Sequence, residues 1–369
     1  MSIYLFTLAV LLIFSFIELR TDLTTVQHKS MLVFIYMLFV FQVGFRWQTG
    51  TDWEPYLLHF EEINKLSDVY YTITGFEKGY SLFVLIIKYV WESYTAFLVV
   101  HALLYYVLVF SAFKKLSPYI FISLLVFYAT SMGVMGSNRQ LIALGICLFA
   151  LRYVVNKKPL KFFLLVGLAF LFHSSAVLFI VYYFLNRDIK QSLIFATLIA
   201  AFIIGRTSLP ILTFSFLGDN IGGMGSSKVL YYTGSYQDES VSVSILGLIK
   251  RFLFVVLFMY NYKFLTTKLT YYKIIFNGYF VGLIIYFLFA SSILVLVNRG
   301  SLYFTAMEAL LLSSQFLLLK NKHYQVNLLL LLFIVCIFLF FQSIAGYPDL
   351  YIPYKGIFIN SDFNRYRLD

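Results

Sequence analysis

Apolar residues run along this chain in long blocks separated by short polar breaks. Blocks such as Ile3–Ile17, Met31–Gly44, Phe97–Phe113, Leu141–Val155, Ile274–Val297 and Val326–Phe341 approach or reach spanning length, roughly 20 residues. None alternates apolar and polar positions as the strands of a membrane barrel do. The pattern predicts an all-α fold, a polytopic integral membrane helical bundle of about 10–12 membrane segments. One multi-pass domain takes up residues 1–369 and leaves no stretch for a separate soluble unit. The first block lacks a basic leader and a small-residue cleavage site, so it reads as a retained helix.

The polar breaks set an expected topology. The amino terminus lies outside, Glu18–Ser30 inside, and the first large loop, about residues 45–93, outside. Lys114 and Lys115 lie inside, Ser131–Arg139 outside and Arg152–Lys161 inside. The block Phe162–Leu185 is interrupted by His173-Ser174-Ser175 and reads as a hairpin that rises to the outer leaflet and returns. The alternative, one unbroken span, reverses every later side and leaves 16 basic residues inside. The hairpin is preferred because the clusters it moves inside lie in short loops. Arg187 and Lys190 then lie inside, and a helix over Ile189–Gly205 leads to a second large loop, about residues 206–244. Lys263–Lys273 is inside, Arg299 outside, Lys320–Lys322 inside, and the tail from Tyr347 outside. Gly79–Val90 is apolar but short and carries Lys88, which suits an interfacial or re-entrant helix.

Composition agrees with this pattern. Hydrophobic residues make up 61% of the chain and charged ones 12%, with a mean hydropathy of +0.85, far from a soluble globular balance. The net charge of +11 could suggest a nucleic-acid partner, but the topology absorbs it. Fifteen of the 28 Lys/Arg fall inside, with only Glu18, Asp22 and Asp188 beside them, as the positive-inside rule requires. No nucleic acid is expected among the partners. Cys147 and Cys336 sit within apolar blocks and read as small core residues. There is no CxxC, HExxH or Walker pattern and the five histidines are scattered, so neither metal nor cofactor is expected.

Ionisable residues at membrane depth are costly and call for partners. Arg46 ends the second block and is followed by Gly50-Thr51-Asp52-Trp53. Arg139 opens a helix in Ser137-Asn138-Arg139-Gln140. His173 marks the hairpin crest, and Arg299 follows Asn298 between two blocks. Singly, each arginine reads as an interfacial snorkeler and the histidine as a helix-orienting group. The topology places all of them, with Asp52, on one side. Together they read as an anion-binding chamber: planar guanidinium forks suit diphosphate oxygens, and the helix start after Asn138 adds free N–H groups. Asp52 or His173 would serve as general base, and Trp47, Trp53 and Tyr56 offer flat faces for sugar rings. Glu308, inside a block, reads as a protonated structural carboxyl ahead of the alternative, a proton relay.

These residues resemble the EpsG-like branch of the Wzy-type polysaccharide polymerases. The resemblance rests on Arg46 before Gly50-Thr51-Asp52-Trp53 with Tyr56, then Glu77, Gly79 and Tyr80. It continues through Arg139-Gln140, the basic turn Lys157-Lys158, Phe172-His173-Ser174, Arg299 with Tyr303, and Pro353-Tyr354. Trp53 stands where such proteins more often have tyrosine. Order and spacing hold over about residues 30–190 and more loosely beyond. The resemblance implies a bacterial inner-membrane enzyme, with its active site facing the periplasm or outside. It would join oligosaccharide repeat units carried on undecaprenyl diphosphate into O-antigen, capsule or exopolysaccharide by metal-independent, inverting glycosyl transfer. His173, Asp52, Arg139, Arg299 and Arg46 would be catalytic. Trp53, Tyr56, Glu77, Asn138, Gln140, Tyr303 and Tyr354 would bind substrate. Membrane lipids and a chain-length regulator protein would be partners. Two rivals share the chemistry. A lipid-linked glycan flippase needs alternating access, which is usually built on repeated halves, and no repeat is found. A membrane O-acyltransferase would carry paired histidine or His/Arg motifs on early helices, and these are missing.

Overall fold

The computed structural model describes residues 1–221, 245–293, 296–363 and 365. Among them sixteen α-helices occur, and extended pairing is confined to one isolated bridge, Arg46 with Gly356. The helices are α1 (Ser2–Arg20), α2 (Thr25–Gly44), α3 (Trp53–Glu62), α4 (Lys78–Val90), α5 (Tyr94–Leu116), α6 (Ile120–Ser131), α7 (Asn138–Val155) and α8 (Pro159–Phe172). There follow α9 (Gln191–Ile204), α10 (Leu209–Ile221), α11 (Ile245–Tyr260), α12 (Tyr262–Lys268), α13 (Tyr272–Phe289), α14 (Leu302–Thr305), α15 (Met307–Ser314) and α16 (Lys322–Ile344). Six helices are long and apolar enough to cross a membrane, α9 with α10 makes one bent pair at 85°, and four shorter apolar segments accompany them. These eleven segments match the number that the apolar blocks predict.

Local chemistry sets the helix ends. Thr24 and Gln27 form a reciprocal capping box at α2, satisfying two of the N–H groups that a helix start leaves unpaired. Pro159 sits at the first turn of α8, where it has no N–H to lose. The block Phe162–Leu185 breaks at His173, whose backbone is extended (φ −156°, ψ 122°), and a 3₁₀ helix, Ser174–Phe184, follows. Phe162 and Phe179 have ring centroids 6.1 Å apart, whereas seventeen residues of straight helix would separate them by about 25 Å. The chain therefore folds back at His173, and the block is a hairpin.

The two expected large loops carry more structure than their polar breaks predict. The first, residues 45–93, contains α3, a 3₁₀ turn at Leu66–Val69 and α4. The second, expected at 206–244, opens with α10; residues 222–244 lie outside those described.

Contacts divide the chain into two compact units: Met1–Ile180 with Glu308–Asp369, and Val181–Met307. In the first unit α7 packs on α5 and α8, α2 on α5, and α6 on α1 and α16. The candidate span of α7 is 72% buried, against 33% for α1 and α16 and 28% for α2. Helix α7 is thus the axis of the unit. The rim helices turn residues such as Phe6, Ile13, Phe34, Met37, Leu331 and Phe338 outwards. An apolar exterior of this kind is matched by hydrocarbon and not by water, and the protein is a multi-pass membrane protein. Cys147 and Cys336 are both buried and unpaired with each other.

Polar cross-links sort the first unit into two ends. At one end the Glu18 carboxylate accepts the N–H groups of Ile120 (2.9 Å) and Phe121 (3.1 Å). There too Lys322 donates to the Arg20 carbonyl (3.2 Å), and Arg152 to the Ser111 carbonyl and hydroxyl (both 2.9 Å). The other end holds the loop after α2, the start of α7, the hairpin crest and the tail. In the second unit α13 packs on α9 and α14, and Asp188 pairs with Lys273 at 2.6 Å.

Candidate active site

The loop between α2 and α3 runs through a tight, irregular path. Gln48 (φ 50°), Gly50 (φ 98°) and Asp52 (φ 58°) all have positive φ, a region that glycine enters freely and aspartate tolerates. A Cβ on Gly136 would stand 1.8 Å from the Thr51 carbonyl oxygen, so the turn before α7 must be glycine for the two loops to meet. The tail then straps the loop in place. Trp47 N–H donates to the Lys355 carbonyl (3.0 Å), Gly50 N–H to Leu350 (2.9 Å), and Ile357 N–H to Phe45 (3.0 Å). Thr49 and Lys355 exchange two bonds of 2.9 Å. Tyr351 and Tyr354 fasten the strap by donating to the carbonyls of Gly133 (2.6 Å) and Gln42 (2.8 Å). The result sets Asp52 immediately before α3, with its residue exposed and its side chain not used as a helix cap.

Arg46 is 1% exposed. Its Nη2 donates to Asn138 Oδ1 at 2.8 Å and its Nη1 to the Val43 carbonyl at 3.4 Å. The guanidinium also stands 5.7 Å from the centre of the Trp53 ring, and its Nε has no partner. The Asn138 carbonyl takes the Nε2–H of His101 at 2.8 Å. The hydroxyls of Tyr80 and Tyr94 lie beside the Asn138 amide without completing a hydrogen bond. A buried guanidinium, an amide and the opening turn of α7 are thereby joined.

One residue on, Arg139 forms an ion pair through Nη1 with Glu77 Oε2. Its backbone N–H and Nε both point at the Tyr56 hydroxyl (3.4 Å each), and its guanidinium lies over Phe76 at 3.8 Å. Glu77 Oε1 accepts the Ser174 N–H at 3.0 Å, which brings the hairpin crest to the same place. Burial alone would raise the Glu77 carboxyl, but the charges of Arg139 and His173 and the Ser174 N–H hold it below its ordinary value. Burial pushes the Tyr56 hydroxyl up, against the pull of Arg139. His173 is buried; its Nδ1 accepts the Ser175 N–H (3.3 Å) and stands 2.6 Å from the Ser175 hydroxyl. Since an N–H can only donate, the proton of the neutral ring belongs on Nε2.

The structure thus brings together Arg46, Tyr56, Glu77, Asn138, Arg139 and His173, with Asp52 on the strapped loop beside them. Gln140 is buried in the first turn of α7. Trp53, Tyr56 and Tyr354 are buried as well: Trp53 lies edge-on between Trp47 and Tyr94, and Tyr354 is fixed by its bond to Gln42. Their faces are occupied, and of the aromatics read as sugar platforms Trp47 alone keeps part of its surface open. Arg299 and Tyr303 belong to the second unit. Arg299 lies in a π-helical turn, Leu296–Gly300, a form that favours functional positions. Tyr303 is buried, and its carbonyl accepts the Tyr182 hydroxyl at 3.1 Å. Among the described residues no three His, Cys, Asp or Glu side chains meet in a way that would hold a metal ion.

Sequence reading missed several participants. His101 is one; another is His59, whose Nδ1 lies 2.6 Å from Thr74 Oγ1 and Nε2 3.1 Å from Ser81 Oγ. Burial, aided by the charge of Arg139, lowers His59 to about 4. Phe76, beneath Arg139, was available as the residue before Glu77. The strap had no sequence signal beyond Pro353-Tyr354.

The sequence model of the EpsG family matches residues 29–356. No curated protein and no solved structure matches the chain.

Proposed function

The chain belongs to the EpsG family, and from that premise we propose that it is a polysaccharide polymerase, a membrane glycosyltransferase that joins oligosaccharide repeat units carried on undecaprenyl diphosphate. The acceptor hydroxyl attacks the anomeric carbon of the donor glycan. The bond from that carbon to the diphosphate breaks with inversion, and undecaprenyl diphosphate leaves with the bonding electrons. The hydroxyl proton passes to His173 Nδ1, in the place that Ser175 now fills, or to Asp52. Arg139 takes up the charge of the leaving diphosphate without a metal. Arg46 braces Asn138 and the start of α7 and adds positive field from beneath. Membrane lipids and a chain-length regulator are its further partners.

The observation that carries this reading is the meeting of residues far apart in sequence, Arg46 with Asn138, Arg139 with Tyr56 and Glu77, and Glu77 with Ser174. Side-chain charge supports an outward-facing site in a bacterial inner membrane. The opposite end of the first unit carries Arg20, Lys29, Lys114, Lys115, Arg152, Lys157, Lys158, Lys161, Lys320 and Lys322, the excess expected of an inner face.

Deletion of the protein is expected to leave single repeat units on the carrier, read as loss of the glycan ladder on a gel. Arg139→Lys should fail to restore the ladder at matched membrane abundance, because an ammonium lacks the fork. A normal ladder in the deletion strain, with no second polymerase present, would overturn the function. Normal ladders from both His173→Ala and Asp52→Asn would overturn the mechanism.

A further inference from the structure

Glu77 holds three groups at once. Its Oε2 pairs with Arg139 Nη1, its Oε1 takes the Ser174 N–H at 3.0 Å, and its charge acts on His173. Arg139 is not saturated by this. Nε and the backbone N–H reach Tyr56 at 3.4 Å and Nη1 reaches Glu77, so among the described residues the Nη2 edge of the fork meets no acceptor. The side chain keeps 15% of its surface open. An anion entering there meets the two Nη2 N–H groups first and the Glu77 carboxylate second. A diphosphate diester carries two negative charges against one for a carboxylate, and its oxygens match the fork on both edges.

We infer that Glu77 is a positioning residue that couples leaving-group binding to the base: it occupies Arg139 until a diphosphate displaces it, and is then retained by Ser174 as the carboxylate partner of His173. This rests on the polymerase reading above. Displacement does not release Glu77, because Ser174 N–H is a backbone donor fixed at the hairpin crest, next in sequence to His173. Losing Arg139 leaves the whole carboxylate charge to act on the imidazole, which favours the imidazolium formed when His173 takes the acceptor proton. The base is therefore strengthened only once the leaving group is in place. Among the described residues, the other titratable or charged groups around Glu77 are Tyr56 and His59 on α3, and Lys78 beside it in the chain. Lys78 Nζ is turned to the Tyr70 ring at 4.7 Å, and His59 is tied to Thr74 and Ser81, so neither competes for the carboxylate.

The test uses purified full-length protein in nanodiscs, with undecaprenyl diphosphate bearing no glycan as the binding probe, and chain extension followed across pH. Glu77→Gln keeps the shape and removes the charge. It should bind the probe about fivefold or more tightly, a coupling of ordinary size, while extension falls. The midpoint of the rise in rate with pH should move down by about one unit, as for a histidine losing a neighbouring carboxylate. Glu77→Asp should return the midpoint towards the wild-type value. Ser174→Pro removes the retaining N–H and is accepted by the extended His173 backbone before it, with Ser174→Ala as the control for the lost hydroxyl. It should shift the midpoint in the same direction without weakening probe binding, and it serves if Glu77→Gln does not accumulate. Equal or weaker probe binding by Glu77→Gln, or an unmoved midpoint in both variants, overturns the role of Glu77 while leaving the polymerase reading intact. Failure of the wild-type protein to bind the probe overturns both.

Discussion

Asn138→Ala is the substitution whose cost can be worked most directly from the geometry. It deletes the acceptor 2.8 Å from Arg46 Nη2 while leaving the Asn138 carbonyl, and so the bond from His101, untouched. Arg46 is fully covered, its Nη1 has only a long 3.4 Å bond to Val43, and its Nε has no partner. A hydrogen bond to a charged donor contributes about 1.5–3 kcal/mol, and leaving the donor buried and unmet puts the loss at the upper end, about 3 kcal/mol. With an unfolding entropy of about 2 cal/mol/K per residue, that loss lowers the melting temperature of a chain this long by about 4 °C. The assay is thermal unfolding in detergent with a thiol-reactive fluorogenic dye. It suits this protein because Cys147 and Cys336, its two cysteines, are both buried. Asn138→Asp keeps an acceptor and should recover most of the loss. In the double variant with Arg46→Met the two costs should fall short of additivity by about 1.5 kcal/mol or more, since the second change removes the charge that the first strands. A melting temperature for Asn138→Ala within a degree of wild type, or strict additivity in the double variant, would refute the assigned bond.

Two further outcomes follow from the same end of the unit. His59, held near 4 by burial when folded, is neutral in the native protein and regains its ordinary 6.5 when unfolded. The unfolded chain therefore binds the extra proton between those values, so stability is full above about pH 6.5 and is lost as the pH falls towards 4. His59→Gln should flatten melting temperature against pH across that window, and an unchanged slope would count against the neutral, doubly hydroxyl-bonded ring. Gly136→Ala puts a carbon 1.8 Å from the Thr51 carbonyl oxygen, and backbone on both sides leaves nothing to yield. It should cost more than about 3 kcal/mol or dislodge the Asp52 turn, read as loss of glycan extension, and a fully active variant would show that the loop and the α7 turn do not touch.

The membrane architecture was legible because a long apolar run has few other fates. The hairpin was legible too, since His173-Ser174-Ser175 interrupts a block that otherwise has no reason to stop, and the Phe162–Phe179 contact reports the reversal. Arg46 and Arg139 stood out from the cost of a charge at membrane depth, and both meet polar partners at the start of α7. Less legible was everything fixed by pairing between distant segments. The bonds between Thr49 and Lys355 link residues 306 positions apart, and neither residue type announces a strap. Trp53 and Tyr56 read as open aromatic platforms because composition tells which rings are present, not which faces are covered. Helix α10 was taken into a loop because it begins after the polar run Arg206-Thr207-Ser208. The chain there turns by 85° instead of ending its helical structure.

What distinguishes the start of α7 is that its charges oppose the fold. A helix N-terminus carries the positive end of the backbone dipole, and stability alone would place acidic side chains there. Here Asn138 receives the buried Arg46, and the next residue is Arg139. Glu77 is the carboxylate that pairs with this group among the described residues, and Asp52 stands exposed at the edge. Among the described residues, two guanidinium groups and a helix dipole set against one bonded carboxylate leave an excess of positive charge in a place where water is largely excluded. Such local conflicts persist where function requires them. A dianionic ligand at Arg139 would cancel the excess, and the same arrangement with a carboxylate in place of Asn138 or Gln140 would be neutral already and hold such a ligand weakly. The asparagine beneath Arg46 therefore fits the anion-binding reading: it meets the geometry of the guanidinium and leaves its charge to be balanced by the substrate.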